Sequence, residues 1–206
     1  MILTTAFNPF GTAPTNASEV LLRALEEDAG VAKVVLETEY RAAGNEIVRL
    51  IRDLHPDAVI CFGVADGERA VRLEQVARNW DATSAPDNSG EVRIGQSILP
   101  AGPDHYLGTL PYQAIAAELD ARGIPYLFSE DAGGFVCNHT FYRARHEIEE
   151  SGLEIPCGFI HVPAISAPRE MATFLEAMRT CIDVVVRHTE PRPPRERFPG
   201  TDFPGV

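Results

Sequence analysis

Lysine is almost absent from this sequence, since Lys33 is the only one among 206 residues and the other 17 basic residues are arginines. A valine follows Lys33, so the G-x-x-x-x-G-K-[S/T] loop that cradles phosphates cannot occur. Lys33 also lies in an apolar run without a second cation beside it, which disfavours a Schiff-base role. The sequence therefore excludes Walker-type nucleotide hydrolysis and argues against covalent catalysis by lysine.

Positive charge is scarce in general, because 18 basic residues stand against 30 acidic ones and leave a net charge of −12. The basic residues are scattered along the chain rather than clustered. Nucleic acids and anionic membranes repel a surface of this kind. We therefore expect neither nucleic acid nor a membrane among the partners of this protein.

Long apolar runs and paired cysteines are also missing. No segment approaches the ~18 apolar residues of a membrane-spanning helix, and residues 1–10 lack the basic and apolar regions of a signal peptide. The four cysteines form no C-x-x-C pair, so we expect free thiols rather than disulfides. These absences predict a cytoplasmic protein.

The chain is long enough for one domain that buries about 70% of the surface of the unfolded chain. Short apolar runs alternate with segments of helical periodicity, which predicts a three-layer α/β/α sandwich with a largely parallel, mixed central sheet. We expect a single catalytic domain over residues 1–188 and a proline-rich, extended or disordered tail over 189–206. The pattern predicts strands over 2–6, 31–36, 57–63, 70–80 (bent), 124–128 and 157–162, helices after Asn16 and over 46–54, 109–122, 135–151 and 168–188, and a loop or hairpin over 81–103.

Residues 132–142 carry the segment A-G-G-F-V-C-N-H-T-F-Y, in which two glycines lead into a helix whose first turns contain Cys137. The positive end of a helix lowers the pKa of a thiol, and its backbone N–H groups can stabilise an oxyanion. Cys137 is therefore a candidate nucleophile. The alternative is a buried structural cysteine.

A cysteine nucleophile needs a general base, and His161 is the best placed of six histidines. It lies at the carboxyl end of a buried strand, which is the edge at which α/β folds place their sites. A histidine satisfied within the core is the alternative. His139 follows Cys137 by two positions, so on a helix its side chain points about 200° away from the thiol.

Glu74 lies in an apolar, strand-like stretch. A buried carboxylate needs a partner, and a histidine N–H is a natural one. The alternative is an ion pair with Arg72 or Arg78 on a solvated face.

A metal site is a further alternative. Cys157 and His161 share one face of a strand, and Cys61 or Glu74 could join them. The close cysteine pairs that structural zinc sites usually contain are missing, which disfavours this interpretation.

Five stretches of the sequence, in matching order and spacing, are similar to the blocks of one known family. They are T-A-F-N-P-F-G at 5–11, G-V-A-D-G-E-R-A-V-R-L-E-Q-V-A-R-N at 63–79, G-P-D-H-Y-L-G-T-L-P at 102–111, A-G-G-F-V-C-N-H at 132–139 and G-F-I-H-V-P at 158–163. Together they resemble the type I pyroglutamyl peptidases, also called pyrrolidone-carboxylate peptidases, a family of cysteine peptidases. The resemblance covers residues 1–188.

The resemblance implies removal of an N-terminal pyroglutamyl (5-oxoproline) residue from peptides through a thioester acyl-enzyme, with no metal or cofactor. It places Cys137 on the nucleophile, His161 on the general base and Glu74 on the carboxylate that orients the imidazole. It also suggests a homo-oligomer, a dimer or a tetramer. Four further residues fall on positions of the family's substrate pocket: Phe7, Phe10, Val64 and Val136.

The substrate pocket departs from the family pattern. In the block G-Q-A-G-G-R, Val64 replaces the glutamine, Asp66 a glycine and Glu68 the arginine, and the stretch around Ser84 lacks the arginine of the family's D-A-R-I-P-D-N. A more negative site raises the pKa of Cys137, and a lost amide weakens selectivity for the lactam. Two alternatives therefore stay open: a hydrolase of the same class that acts on a different N-acyl or lactam amide, and a non-catalytic homologue that serves as a binding or assembly protein.

Overall fold

The structure is a computed structural model that describes residues 1–189, so the predicted tail lies outside the described residues apart from Thr189. Ten strands and five helices follow one another in the described chain. The strands are β1 (Ile2–Phe7), β2 (Val31–Leu36), β3 (Ala58–Ala65), β4 (Val71–Glu74), β5 (Val76–Arg78), β6 (Asp81–Thr83), β7 (Arg93–Gln96), β8 (His105–Leu107), β9 (Tyr126–Ser129) and β10 (Cys157–Pro163). The helices are α1 (Ala17–Ala24), α2 (Tyr40–Leu54), α3 (Tyr112–Ala121), α4 (Val136–Glu150) and α5 (Pro168–Thr189).

Six strands form the central sheet in the order β2-β1-β3-β10-β4-β9. The first four are mutually parallel, whereas β4 runs antiparallel to β10 and parallel to β9. The carboxyl ends of β1, β3 and β10 therefore meet the amino end of β4 at one edge of the sheet. This edge is where an α/β fold forms its ligand site.

Helices cover both faces of the sheet. The side chains of α1, α3 and α5 pack with one face into a first buried cluster, and those of α2 and α4 pack with the other face into a second. Strand β10 is buried along its whole length and β3 over its first six residues, which explains their near-continuous apolar sequence. The predicted three-layer sandwich with a mixed, mostly parallel sheet is confirmed.

Three segments differ from the sequence-based prediction. Helix α2 begins at Tyr40, six residues before the predicted start, and α3 begins only after Pro111, which is its N-cap residue. The strand predicted over 70–80 divides at Gln75 into β4 and β5, which join different sheets. Within 81–103, where a loop or hairpin is predicted, β6 and β7 pair as a two-stranded hairpin, in agreement with the prediction. Across residues 1–189, no helix is both long and apolar enough to span a membrane.

Candidate active site

The backbone delivers Cys137 to the first turn of α4 through two glycines. Gly133 has φ = 84°, a left-handed conformation that favours glycine. A Cβ on Gly134 would lie 2.5 Å from the carbonyl oxygen of Ala82, so the β6–β7 hairpin approaches the backbone too closely for any other residue. Cys137 is the second residue of α4, where backbone N–H groups have no partner within the helix.

The thiol of Cys137 lies over Gly63 on β3. A Cβ on Gly63 would stand 2.9 Å from Sγ of Cys137 and 2.8 Å from the ring of Phe159, so only glycine leaves room for the sulfur. In the sheet, Gly63 is the register partner of His161 on β10. The packing thus brings a cysteine thiol and an imidazole together at the carboxyl edge of the sheet.

His161 and Glu74 form a buried hydrogen-bonded pair. Nδ1 of His161 lies 2.8 Å from Oε1 of Glu74, and the carboxylate is fully buried. An ionised carboxylate can only accept, so Nδ1 carries the proton and Nε2 is the basic nitrogen of this imidazole. Arg72 donates from Nε to the same oxygen at 2.9 Å, whereas Arg78 donates to the carbonyl oxygen of Glu130. Glu74 therefore pairs with His161 and with Arg72 at the same time, so the two alternatives predicted for its partner are both realised.

Burial raises the pKa of the Cys137 thiol to about 12, and the negative charge of Glu74 adds to the effect. The backbone N–H at the start of α4 lowers the pKa, as expected for a helix terminus, but burial outweighs this effect. The added acids Asp66 and Glu68 are not among the causes of this increase, which come from burial, Glu74 and Cys61. At neutral pH the thiol of the free protein carries its proton.

A cavity of about 390 Å³ opens in front of Cys137 and His161. Phe7, Phe10 and Val64 form part of its wall, together with Phe135, whose aromatic ring lies with its centroid 5.6 Å from that of Phe10 and tilted by 49°. The side chain of Val136 is fully buried in the second core cluster and does not line this cavity.

The charged rim of the cavity contains Asp66, Glu68, Arg72 and Asp131. Glu68 accepts a hydrogen bond from Nη1 of Arg72 at 3.1 Å, so one of the two added acids is paired with a cation. Ser84 belongs to the connection that follows β6, which does not line the cavity. In its vicinity, Arg93 bonds to Asp81 at 2.8 Å.

His139 and the cysteines other than Cys137 do not take part in this site. His139 turns away from Cys137, as predicted, and its Nδ1 lies 2.8 Å from Oδ2 of Asp81. Cys157 and His161 are four residues apart on β10, a distance of ~13 Å along an extended strand, which is too far for one metal ion. All four cysteines are free thiols, as the sequence predicted.

Comparison with known proteins identifies the family. The sequence model of the pyroglutamyl peptidases matches residues 1–188. This chain belongs to the pyroglutamyl peptidase family. It is therefore a cysteine peptidase of the pyroglutamyl type, and the sequence-based assignment is confirmed.

Individual relatives agree with the family assignment. The chain is 36% identical to pyrrolidone-carboxylate peptidase 1 of Ralstonia nicotianae over 92% of this chain and 94% of the relative. It is 38% identical to the pyrrolidone-carboxylate peptidase of Oceanobacillus iheyensis over 79% of this chain and 83% of the relative. Among solved structures, pyrrolidone carboxyl peptidase from Pyrococcus furiosus superposes with a TM-score of 0.84 at 28% identity, covering 91% of this chain and 99% of that one.

Three residues beside this pyroglutamyl peptidase site were not found from sequence. Gly63 can be recognised as a residue that makes room for the thiol only when the position of the Cys137 sulfur is known. Asn138 anchors the start of α4, since its side chain bonds to the backbone of Arg78 and Trp80 at 2.9 Å. Its place beside the nucleophile in A-G-G-F-V-C-N-H was the available signal. Arg72 was considered only as a surface partner of Glu74.

Proposed function

We propose that this chain hydrolyses the bond after an N-terminal pyroglutamyl residue with Cys137 as nucleophile, His161 as general base and Glu74 as the group that orients His161. The observation that carries this assignment is the 2.8 Å hydrogen bond between Glu74 and His161, made beside the glycine over which the Cys137 sulfur packs. A nucleophile, a base and a group that orients the base are the parts that acyl transfer requires.

The first half-reaction begins from a neutral thiol, because the pKa of Cys137 is raised. Nε2 of His161 takes the proton while Sγ attacks the carbonyl carbon of the pyroglutamyl residue. The Glu74 carboxylate stabilises the imidazolium through Nδ1. The imidazolium then protonates the leaving amine, the C–N bond breaks, and a thioester remains on Cys137.

The second half-reaction uses the same base. His161 removes a proton from water, the water oxygen attacks the thioester carbonyl, and the C–S bond breaks. The proton on His161 returns to the sulfur, and pyroglutamic acid leaves. The proposed reaction needs no metal or cofactor.

We assign the acyl pocket to Phe7, Phe10 and Val64, whose apolar side chains line the cavity and suit a flat, uncharged lactam ring. Val136 joins the site through its backbone N–H at the first turn of α4, since its side chain is buried. This N–H and that of Cys137 are the donors available to the oxyanion.

We propose one catalytic domain over residues 1–188, because a single sheet and its two helical layers account for this range and the family model covers it. A peptide or a small amide is the substrate, and neither nucleic acid nor a membrane is a partner. Four free thiols, three of them buried, support a reducing compartment such as the cytoplasm. The family resemblance supports a homo-oligomer, which the mass measured by light scattering would test.

The test is release of a fluorogenic amine from a pyroglutamyl amide by the purified protein. Cys137→Ala should lower kcat on the order of 10⁴-fold or more. Cys181→Ala is the matched control, because this thiol is buried in the first core cluster among α5 side chains. Turnover that survives in Cys137→Ala would refute the assignment. Rapid acylation of Cys137 by a different N-acyl amide, without pyroglutamyl turnover, would instead favour an altered acyl specificity.

A further inference from the structure

Arg72 lies beside the proposed catalytic groups and makes four hydrogen bonds with three segments of the chain. Its Nε donates to Oε1 of Glu74 at 2.9 Å, and its Nη1 to Oε1 of Glu68 at 3.1 Å. Its Nη2 donates to Oγ of Ser129 and to the carbonyl oxygen of Asp131, both at 2.7 Å. A guanidinium has five N–H groups. Four of them are thus engaged by the protein, which leaves little capacity for binding substrate.

The first link joins Arg72 to the orienting carboxylate. Arg72 and Glu74 are two residues apart on β4, so their side chains share one face of the sheet, and Arg72 is the register partner of His161. Oε1 of Glu74 accepts from both His161 and Arg72, while Oε2 has no partner within residues 1–189. A carboxylate buried in this way stays ionised only with compensating charge, and Arg72 supplies it.

The second link joins Arg72 to the segment that carries the nucleophile. Asp131 is the residue from which the chain passes through Ala132, Gly133 and Gly134 into α4. The bond from Arg72 to its carbonyl oxygen fixes the start of this turn. One guanidinium therefore holds both the group that orients His161 and the backbone that presents Cys137.

The arrangement also explains one departure from the family blocks. Glu68 stands where the family block has an arginine, so the guanidinium expected at position 68 is missing. Arg72, four positions later, bonds to Glu68 and reaches Glu74. A guanidinium is therefore present at the site, contributed by position 72 rather than by position 68.

We propose that Arg72 is a positioning residue of this peptidase, which pairs its charge with the buried Glu74 carboxylate, holds that carboxylate against His161 and fixes the turn before Cys137. The inference rests on the proposed function. Besides Arg72, the titratable groups that face Glu74 are His161 from β10, Cys137 from α4 and Tyr112 from α3, whose hydroxyl donates to the backbone oxygen of Glu74.

The test compares Arg72→Met with the wild type in the pH dependence of kcat and kcat/KM on a pyroglutamyl amide. Arg72→Met removes a positive charge beside the Glu74–His161 pair, which favours proton binding there, so the acidic limb should move to higher pH. We expect kcat to fall about 10- to 100-fold, as for other residues that orient a reactive group, while KM changes little. Arg69→Met is the matched control, because Arg69 is exposed and lies outside the cavity wall.

A rescue variant separates positioning from folding. The double substitution Glu68→Arg and Arg72→Thr returns the arginine to the family position and should recover part of kcat and the wild-type acidic limb. The proposal is overturned if Arg72→Met leaves the acidic limb unchanged, or if only KM rises, which would make Arg72 a substrate-binding residue. Loss of activity that merely follows a fall in Tm also overturns it. These results differ from failure of the proposed function, which would appear as turnover independent of Cys137.

Discussion

The Cys137 thiol shows how burial and charge decide the state of one residue. Burial and Glu74 together raise its pKa to about 12, so the free protein holds a neutral thiol. Thiolate, not thiol, is the nucleophile toward alkylating agents. Below this pKa, the thiolate fraction grows about tenfold with each pH unit. In the proposed mechanism, the thiol is therefore activated by proton transfer to His161 during attack rather than as a preformed thiolate.

We expect the rate of Cys137 alkylation by iodoacetamide to rise from pH 7 to pH 10 without a plateau, measured by mass spectrometry with Cys137→Ala as the control. Glu74→Gln should react faster than the wild type at each pH, because it removes a charge that raises the thiol pKa, although its peptidase activity falls. A plateau below pH 8 in the wild type would show that a thiolate–imidazolium pair exists in the free protein.

Gly63 is a second residue on which the site depends, through the side chain that it lacks. Gly63→Ala would place a methyl group 2.9 Å from the Cys137 sulfur and 2.8 Å from the Phe159 ring. We expect this overpacking to lower the free energy of unfolding by ~1–3 kcal/mol. It should also displace the thiol, so that kcat falls even at temperatures at which the variant is fully folded. Gly67→Ala, at a glycine with no atom within 4 Å of the added methyl group but a left-handed φ of 80°, controls for backbone strain alone. Equal loss of activity in both variants would contradict this explanation.

At the scale of elements, the side-chain amide of Asn138 joins the first turn of α4 to a neighbouring segment. The Asn138 side chain accepts from the N–H of Arg78 and donates to the carbonyl oxygens of Arg78 and Trp80. These contacts join the first turn of α4 to the connection between β5 and β6. These bonds therefore help to position Cys137, the proposed nucleophile, which precedes Asn138 in α4.

Asn138→Ala should lower the free energy of unfolding by about 3 kcal/mol, because it leaves three partly buried backbone groups of Arg78 and Trp80 without their partner. In a chain of this size, that loss corresponds to a fall in Tm of ~6–12 °C, measurable by calorimetry. Asn45→Ala is a suitable control, since Asn45 is exposed on α2. A Tm change within 1 °C of that control would mean that water replaces the lost bonds at little cost.

The helices and strands best predicted from sequence are those marked by a pattern of neighbouring residues, such as an apolar run or a capping residue. The apolar run of β3 and the capping residue Asn16 predicted their elements closely, and Asn16 accepts the N–H of Ser18 at 3.0 Å. The start of α2 was missed because Gly44 and Asn45 weaken its helical pattern. Gly44 is nonetheless required there, since a Cβ would lie 2.7 Å from Nε2 of His139 on α4.

Non-local pairing explains what remained hidden in the site. Sequence pattern alone placed Cys137, His161 and Glu74 as candidates, because each lies in a distinctive local setting. The role of Arg72 depends on β4 running antiparallel to β10, which puts Arg72 opposite His161. No local pattern specifies that register. The burial that raises the pKa of Cys137 likewise depends on segments that are distant from it in the sequence.

At the scale of the whole molecule, a net charge of −12 and an acidic cavity rim act together on substrates. We expect kcat/KM to be higher for a pyroglutamyl peptide with arginine at the next position than for one with glutamate, since attraction speeds the encounter. Raising the ionic strength from about 10 mM to about 500 mM should reduce this preference through screening. Pyroglutamyl-alanine substrates provide the uncharged reference, and a preference that does not respond to salt would contradict an electrostatic origin.

The unequal exposure of the four cysteines has a practical consequence for anyone who handles this protein. Cys61, Cys157 and Cys181 are completely buried, and only Cys137 reaches the solvent. A chromogenic disulfide reagent at alkaline pH therefore reports one equivalent per native chain and four after unfolding in denaturant. The number of reactive thiols therefore gives the number of chains with an intact Cys137, so turnover can be expressed per such chain rather than per milligram.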